Sequence, residues 1–190
     1  MIRIGILGDI GSGKSYVAKN FGYPVFNADL EVGKLYRKNK KIFNKLNKVL
    51  PNYIYSFPVN KNEMLEAILA NKFNLSKIIK IVHLEVRKKM NIFLRKNKNK
   101  KIVILDIPLL LENKINKKID ILVFIQSKKI DIFKRLKKRK NFNLKLYKEF
   151  KNIQLSLDYK KKKSQFIIKN NFTNKGVKKD VKRILKEICK

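Results

Sequence analysis

The chain has 190 residues, enough for one domain with a buried core, and 44% of them are hydrophobic. It has 48 Lys and Arg against 14 Asp and Glu, a formal net charge of +34, yet the hydrophobic content excludes a disordered basic tail. Apolar runs are too short for a membrane span, the N-terminal stretch does not resemble a signal peptide, and the single Cys189 excludes a disulfide scaffold.

Short, almost wholly apolar segments predict β-strands at 2–7, 25–26, 101–105, 121–125 and 166–168. Between them, helical patterns predict helices at about 14–21, 28–38, 62–70, 75–97, 128–139, 144–156 and 176–188. Strands of this kind, separated by helices, are typical of a parallel sheet covered on both faces. We therefore expect an α/β fold with a mostly parallel five-stranded sheet flanked by helices.

Residues 36–97 carry helical patterns and no strand of their own, which predicts an insertion between two sheet strands. Asn60 followed by Glu63 resembles a helix-start capping pair. In the long helix an i,i+4 stripe predicts the buried face, made by Ile78, Val82, Val86, Met90 and Leu94. Such an insertion can cover the carboxyl ends of the strands, where open α/β sheets bind ligands.

A phosphate-binding loop follows the first strand and opens a helix, as the G-x-x-x-x-G-K-S motif requires. Its glycines let backbone N–H groups face phosphate oxygens, while Lys14 reaches the β- and γ-phosphates and the Ser15 hydroxyl binds Mg²⁺. Asp9 is unusual here, because a carboxylate beside a triphosphate is unfavourable unless it points outward. We expect the loop to bind ATP through Gly8, Asp9, Ile10, Gly11, Ser12, Gly13, Lys14 and Ser15.

Further motifs follow in order: 27–29 reads Asn-Ala-Asp, 106–112 reads Asp-Ile-Pro-Leu-Leu-Leu-Glu, and Arg135 and Arg139 lie one helical turn apart. Together with the phosphate loop, His83 and a late stretch from Gln154 to Asn170, this set resembles the dephospho-CoA kinase family over residues 1 to about 171. The resemblance implies a P-loop fold similar to nucleoside monophosphate kinases, with a helical insertion and a lid.

The chain departs from that family's pattern at five positions. Asn27 replaces the first Asp of an Asp-Ala-Asp, Asp9 a loop glycine, Leu84 a proline, and Lys169 and Phe172 an Asp and a Gly of the late stretch. These departures concern the fine positioning of substrates more than the reaction.

The resemblance implies transfer of the ATP γ-phosphoryl group to the ribose 3′-hydroxyl of dephospho-CoA, with Mg²⁺, to give coenzyme A and ADP. Asp29 is the candidate base; alternatively it caps a helix over 30–38. Asp106, at a strand end, is a candidate Mg²⁺ ligand, acting through water, or a helix cap. Arg139 is expected to stabilise charge on the transferring group, with Arg135 as a helper, although both could be solvated surface residues.

His83 and Arg87 share one face of the inserted helix and are candidate acceptor-binding residues, although a lone histidine is more often structural. Asn170 is expected to contact the nucleotide base, and Lys160 to join a phosphate grip in the lid. Glu112 is a weaker candidate for a site residue and is expected to orient neighbouring helices.

We expect a core of residues 1–35, 98–139 and 161–190, a helical acceptor-binding subdomain over about 36–97, and a lid over about 140–160. The protein is expected to be cytoplasmic, without a membrane or specific nucleic-acid partner, and a monomer or small homo-oligomer.

Two other functions remain open. A nucleoside or nucleotide kinase would share the phosphate loop and lid but use another acceptor. A nucleic-acid-binding protein would use the positive charge, since basic surfaces release counterions from phosphate backbones. However, the lysines are spread along the chain and are not clustered on one element. In addition, 87 of 190 residues are Lys, Asn or Ile, which have A/T-rich codons. This composition favours mutational bias in an A/T-rich genome as the cause of the positive charge.

Overall fold

The computed structural model describes residues 1–140 and 142–189, so residue 141 of the predicted lid and residue 190 of the predicted core lie outside the described residues. Contacts divide the chain into two units. The first comprises Met1–Asn27, Leu94–Phe142 and Gln154–Lys190, and the second comprises Ala28–Phe93 and Asn143–Ile153. The functional division into core, acceptor subdomain and lid stays a prediction.

The first unit contains a parallel sheet, as predicted. Its strands are β1 (Ile2–Gly8), β2 (Val25–Asn27), β3 (Ile102–Asp106), β4 (Ile121–Gln126) and β5 (Phe166–Lys169). Their order is β2-β3-β1-β4-β5, and every neighbouring pair is parallel. Because all strands run the same way, their carboxyl ends meet at one edge. The phosphate loop follows β1 at that edge.

Helices connect the strands. They are α1 (Lys14–Asn20), α2 (Ala28–Lys38), α3 (Lys40–Val49), α4 (Lys61–Ala70), α5 (Asn74–Lys96), α6 (Lys129–Lys137), α7 (Leu144–Asn152), α8 (Leu157–Lys162) and α9 (Asn174–Ile188). In the first unit, apolar residues of α1 and α9 join β-strand residues in one buried cluster that includes Ile4, Val17, Ile104 and Val181. Burial of these side chains stabilises the sheet that carries the phosphate loop. No helix in the described residues is long and apolar enough to cross a membrane.

The second unit is helical, in agreement with the prediction for residues 36–97. On α5, the predicted stripe is buried from Ile78 to Met90, whereas Leu94 is half-buried. Asn60 caps α4 by accepting from the N–H of Asn62 at 2.8 Å. Glu63 is buried and accepts from the N–H groups of Tyr55 and Ser56, so it fixes the preceding loop instead of completing the predicted capping pair.

Candidate active site

The phosphate loop depends on glycine where its backbone enters the left-handed region. Gly13 has φ +90° and Gly8 has φ +148°. A Cβ on Gly8 would lie 2.8 Å from the carbonyl oxygen of Ile125 in the neighbouring strand β4. A side chain at this position would therefore collide with backbone atoms, and only glycine allows the loop to leave β1 so close to the sheet.

Lys14 and Asp9 are both buried within the loop. Lys14 Nζ donates to the carbonyl oxygens of Asp9, at 2.8 Å, and Gly8, at 3.3 Å. The Asp9 carboxylate accepts from the N–H of Ile10 at 2.7 Å and is only 6% exposed. The carboxylate thus forms a hydrogen bond with the backbone of the loop itself. From the sequence we expected it to point outward.

Two side chains fix the loop at Ser12. The carbonyl oxygen of Ser12 accepts from Asn170 Nδ2 at 2.8 Å and from the hydroxyl of Ser127 at 3.0 Å. Asn170 is 2% exposed, and its Oδ1 accepts from the N–H of Phe172 at 2.9 Å. Asn170 therefore ties the segment after β5 to the phosphate loop. Sequence reasoning missed Ser127, whose only signal is its position directly after β4, next to β1.

The predicted metal ligands Ser15 and Asp106 come together through Asn27. Strand register places Asn27 opposite Asp106, at the carboxyl ends of β2 and β3. The Asn27 Nδ2 group donates to Asp106 Oδ2 in a short hydrogen bond and to the Ser15 hydroxyl at 3.4 Å. Asp106 is 2% exposed, so this amide supplies a hydrogen bond that a buried carboxylate requires.

The two arginines of α6 and its C-terminal end differ in their surroundings. The Arg135 guanidinium lies over the Phe172 ring, with its carbon 4.1 Å from the ring centroid, a cation–π contact. Arg139 is exposed beyond the end of α6, where its N–H donates to the carbonyl oxygen of Leu136 at 3.0 Å.

Lys160 lies inside the first unit and is 1% exposed. Its Nζ is 2.8 Å from Glu112 Oε1 and 3.2 Å from Gln154 Oε1, and the same Glu112 oxygen accepts from the N–H of Leu155 at 3.0 Å. A buried, ion-paired ammonium has a structural role. The expectation that Lys160 binds phosphate is therefore wrong. Glu112, which was expected to orient neighbouring helices, forms an ion pair with Lys160.

Asp29, His83 and Arg87 lie in the second unit. Because α2 begins at Ala28, Asp29 is an exposed residue of its first turn and not the N-cap of a helix over 30–38. Burial, and then the charge of the exposed Arg87, lower the pKa of His83 from its ordinary value. Among the described residues, His83 Nε2 is buried without a hydrogen-bond partner.

Known proteins are similar to this chain over the region that contains these motifs. A family model described as CoaE, dephospho-CoA kinase, matches residues 2–175. A dephospho-CoA kinase of Wolbachia sp. subsp. Brugia malayi is 36% identical over 129 residues, which are 65% of this chain and 66% of that protein. The aligned part thus spans slightly less than two thirds of that relative.

Two solved structures share the fold. TT1252 from Thermus thermophilus has a TM-score of 0.76 at 23% identity, with 98% of this chain and 97% of that chain covered. A dephospho-CoA kinase from Campylobacter jejuni has a TM-score of 0.61 at 22% identity, with 98% and 96% covered.

Proposed function

The chain belongs to the dephospho-CoA kinase family, and we propose that it transfers the γ-phosphoryl group of ATP to the ribose 3′-hydroxyl of dephospho-CoA, giving coenzyme A and ADP. The observation that carries the phosphoryl transfer is the joint presence, at the carboxyl edge of the sheet, of a complete phosphate loop and the Ser15–Asn27–Asp106 group. The family match over residues 2–175 supports dephospho-CoA as the acceptor.

The donor nucleotide binds through the loop from Gly8 to Ser15, whose N–H groups and helix N-terminus attract phosphate oxygens. Lys14 exchanges its bonds to the carbonyl oxygens of Gly8 and Asp9 for phosphate oxygens, so that the substrate replaces partners which the ammonium already has. Asn170 holds the loop in shape through its bond to Ser12, and it is also proposed to contact the nucleotide base.

Mg²⁺ is the cation that this proposal requires, and the donor set fits it, since hydroxyl and carboxylate oxygens are its preferred ligands. The Ser15 hydroxyl and Asp106, directly or through water, would hold it, and it would neutralise charge on the β- and γ-phosphates. The described residues contain no cluster of three or more His, Cys, Asp or Glu side chains. This is compatible with a cation that takes most of its ligands from phosphates and water.

Asp29 is the proposed catalytic base. It orients the acceptor's 3′-hydroxyl and accepts its proton while the oxygen bonds to the γ-phosphorus and the bond to the β-phosphate oxygen breaks. What supports this role is an exposed carboxylate two residues after Asn27, at the start of α2.

Arg139 is proposed to neutralise charge on the transferring group, and its exposure at the end of α6 leaves its guanidinium accessible. Arg135 is a weaker candidate for that task because it lies on Phe172. His83 and Arg87, one turn apart on α5, are proposed to bind the acceptor.

We further propose that the protein works in the cytoplasm as a monomer or small homo-oligomer, without a specific nucleic-acid partner. A single cysteine without a possible intrachain disulfide partner supports a reducing compartment.

An acceptor competition tests the proposed substrate. Dephospho-CoA and the common nucleoside monophosphates are supplied together with ATP, and the products are separated by mass. We expect phosphorylation of dephospho-CoA in preference to every nucleotide. Preferential phosphorylation of a nucleoside monophosphate would identify a nucleotide kinase instead.

A further inference from the structure

The neutral Asn27 amide lies between two oxygen groups of the proposed cation site. Its Nδ2 carries two hydrogens, and the group donates to both the Ser15 hydroxyl and Asp106 Oδ2. These are the oxygens that the proposed function assigns to a divalent cation. The same amide therefore donates to both prospective ligands.

We propose that Asn27 is a positioning residue that holds Ser15 and Asp106 in place without a cation and thereby makes the stability of the fold independent of divalent metal. This inference rests on the proposed function for the location of the cation. Asp106 is 2% exposed, and a buried carboxylate without a donor would lose the hydrogen bonds of water without replacement. The Asn27 amide prevents that loss and adds no charge.

The side chain suits both states of the site. An amide has a donor and an acceptor, so it can donate to Asp106 in the absence of a cation and accept from a water ligand in its presence. An ionised carboxylate at the same position could not donate. It would instead place a second negative charge within hydrogen-bond distance of Asp106 in a poorly solvated setting.

Asn27→Asp therefore makes the stability of the fold depend on divalent metal. We expect its melting temperature in EDTA to fall by about 4–8 °C relative to the wild type. Excess Mg²⁺ without nucleotide should recover most of that loss, because the cation neutralises the paired carboxylates. The same addition should move the wild-type melting temperature by no more than about 1 °C.

Two variants make the test specific. Asn27→Asp/Asp106→Asn again combines one amide with one carboxylate, so its melting temperature in EDTA should return to within about 2 °C of the wild type. Asn44→Asp makes the same chemical change at an exposed position of α3 and controls for the altered net charge. It should show no Mg²⁺ dependence.

Equal stability of Asn27→Asp and wild type in EDTA, or equal Mg²⁺ shifts for both, would overturn the inference. If Asn27→Asp does not fold even with Mg²⁺, the double variant decides: wild-type stability supports the inference, and loss of folding contradicts it. The measurement uses neither nucleotide nor acceptor. Its failure is therefore distinct from a failure of the proposed kinase activity.

Discussion

The proposed function assigns the phosphates of the donor nucleotide to the ammonium of Lys14. Replacement by Ala removes this ammonium, while the loop keeps its N–H groups. We expect Lys14→Ala to weaken ATP binding at least about tenfold, measured by calorimetry. Lys19→Ala, an exposed lysine in the last turn of the same helix, is the matched control and should bind ATP normally. Unchanged affinity of Lys14→Ala would contradict the assignment of the loop.

The proposed function assigns Asp29 to proton transfer and not to ATP binding. Asp29→Asn keeps the size of the side chain but cannot accept the proton, so turnover should fall about 10²- to 10⁴-fold with ATP affinity unchanged. Asp131→Asn makes the same change in the first turn of α6 and should leave turnover near the wild-type value. Loss of ATP affinity with little loss of turnover at saturation would instead make Asp29 a structural or metal-site residue.

His83 provides a prediction that requires no substrate. Because burial and the Arg87 charge both disfavour the imidazolium, an NMR titration should give a pKa below the ordinary value of about 6.5. Arg87→Gln should raise that pKa, since the charge contribution is removed. The unfolded chain then binds the proton more readily than the folded one, so acidification below about pH 6.5 should reduce stability. A pKa that falls in Arg87→Gln would contradict this account.

At the scale of elements, the Glu112–Lys160 pair connects the segment after β3 to α8. Glu112→Gln leaves a buried ammonium without its counter-charge, and we expect unfolding in urea to show a loss of about 3–5 kcal/mol. Glu112→Gln/Lys160→Met should lose less than the sum of the single changes. Glu187→Gln, which breaks an exposed pair with Arg183, should cost less than about 1 kcal/mol. Additive losses at 112 and 160 would contradict the direct pairing.

Local patterns predicted the strands and most helices because their apolar residues follow the spacing of a buried face, although α7 has no buried residue. Helix α3 was missed, although Asn39 caps it and Ile42 and Leu46 are buried four residues apart, because abundant lysines obscure that spacing. The predicted helix over 144–156 ends at Asn152, and Ser156 caps a separate α8 by accepting from Tyr159.

The motifs predicted Ser15 and Asp106 as metal ligands, but no motif could predict that the Asn27 side chain connects them. The Asn27 bridge to Asp106 arises from strand pairing between residues 79 positions apart, and the Asn170 bond to Ser12 joins residues 158 positions apart. Similarly, the lysine-rich sequence around Lys160 predicts an exposed side chain, whereas Lys160 is buried against Glu112. Such contacts depend on tertiary register, which no local pattern contains.

At the scale of the whole molecule, the net charge of +34 favours expansion through mutual repulsion. Raising NaCl from about 50 mM to about 500 mM screens that repulsion, so the melting temperature should rise. Any binding to duplex DNA should be weak and should vanish over the same range. Tight, sequence-selective binding near physiological salt that survives Lys14→Ala would favour the nucleic-acid-binding alternative.

The identity of the acceptor is tested by ADP release from Mg·ATP with and without dephospho-CoA, with the product identified by mass and its phosphate position determined. We predict acceptor-dependent ADP and a product one phosphate heavier, modified at the ribose 3′-hydroxyl. Protein that binds ATP but shows no turnover with dephospho-CoA would contradict the claim and leave a P-loop kinase with another acceptor.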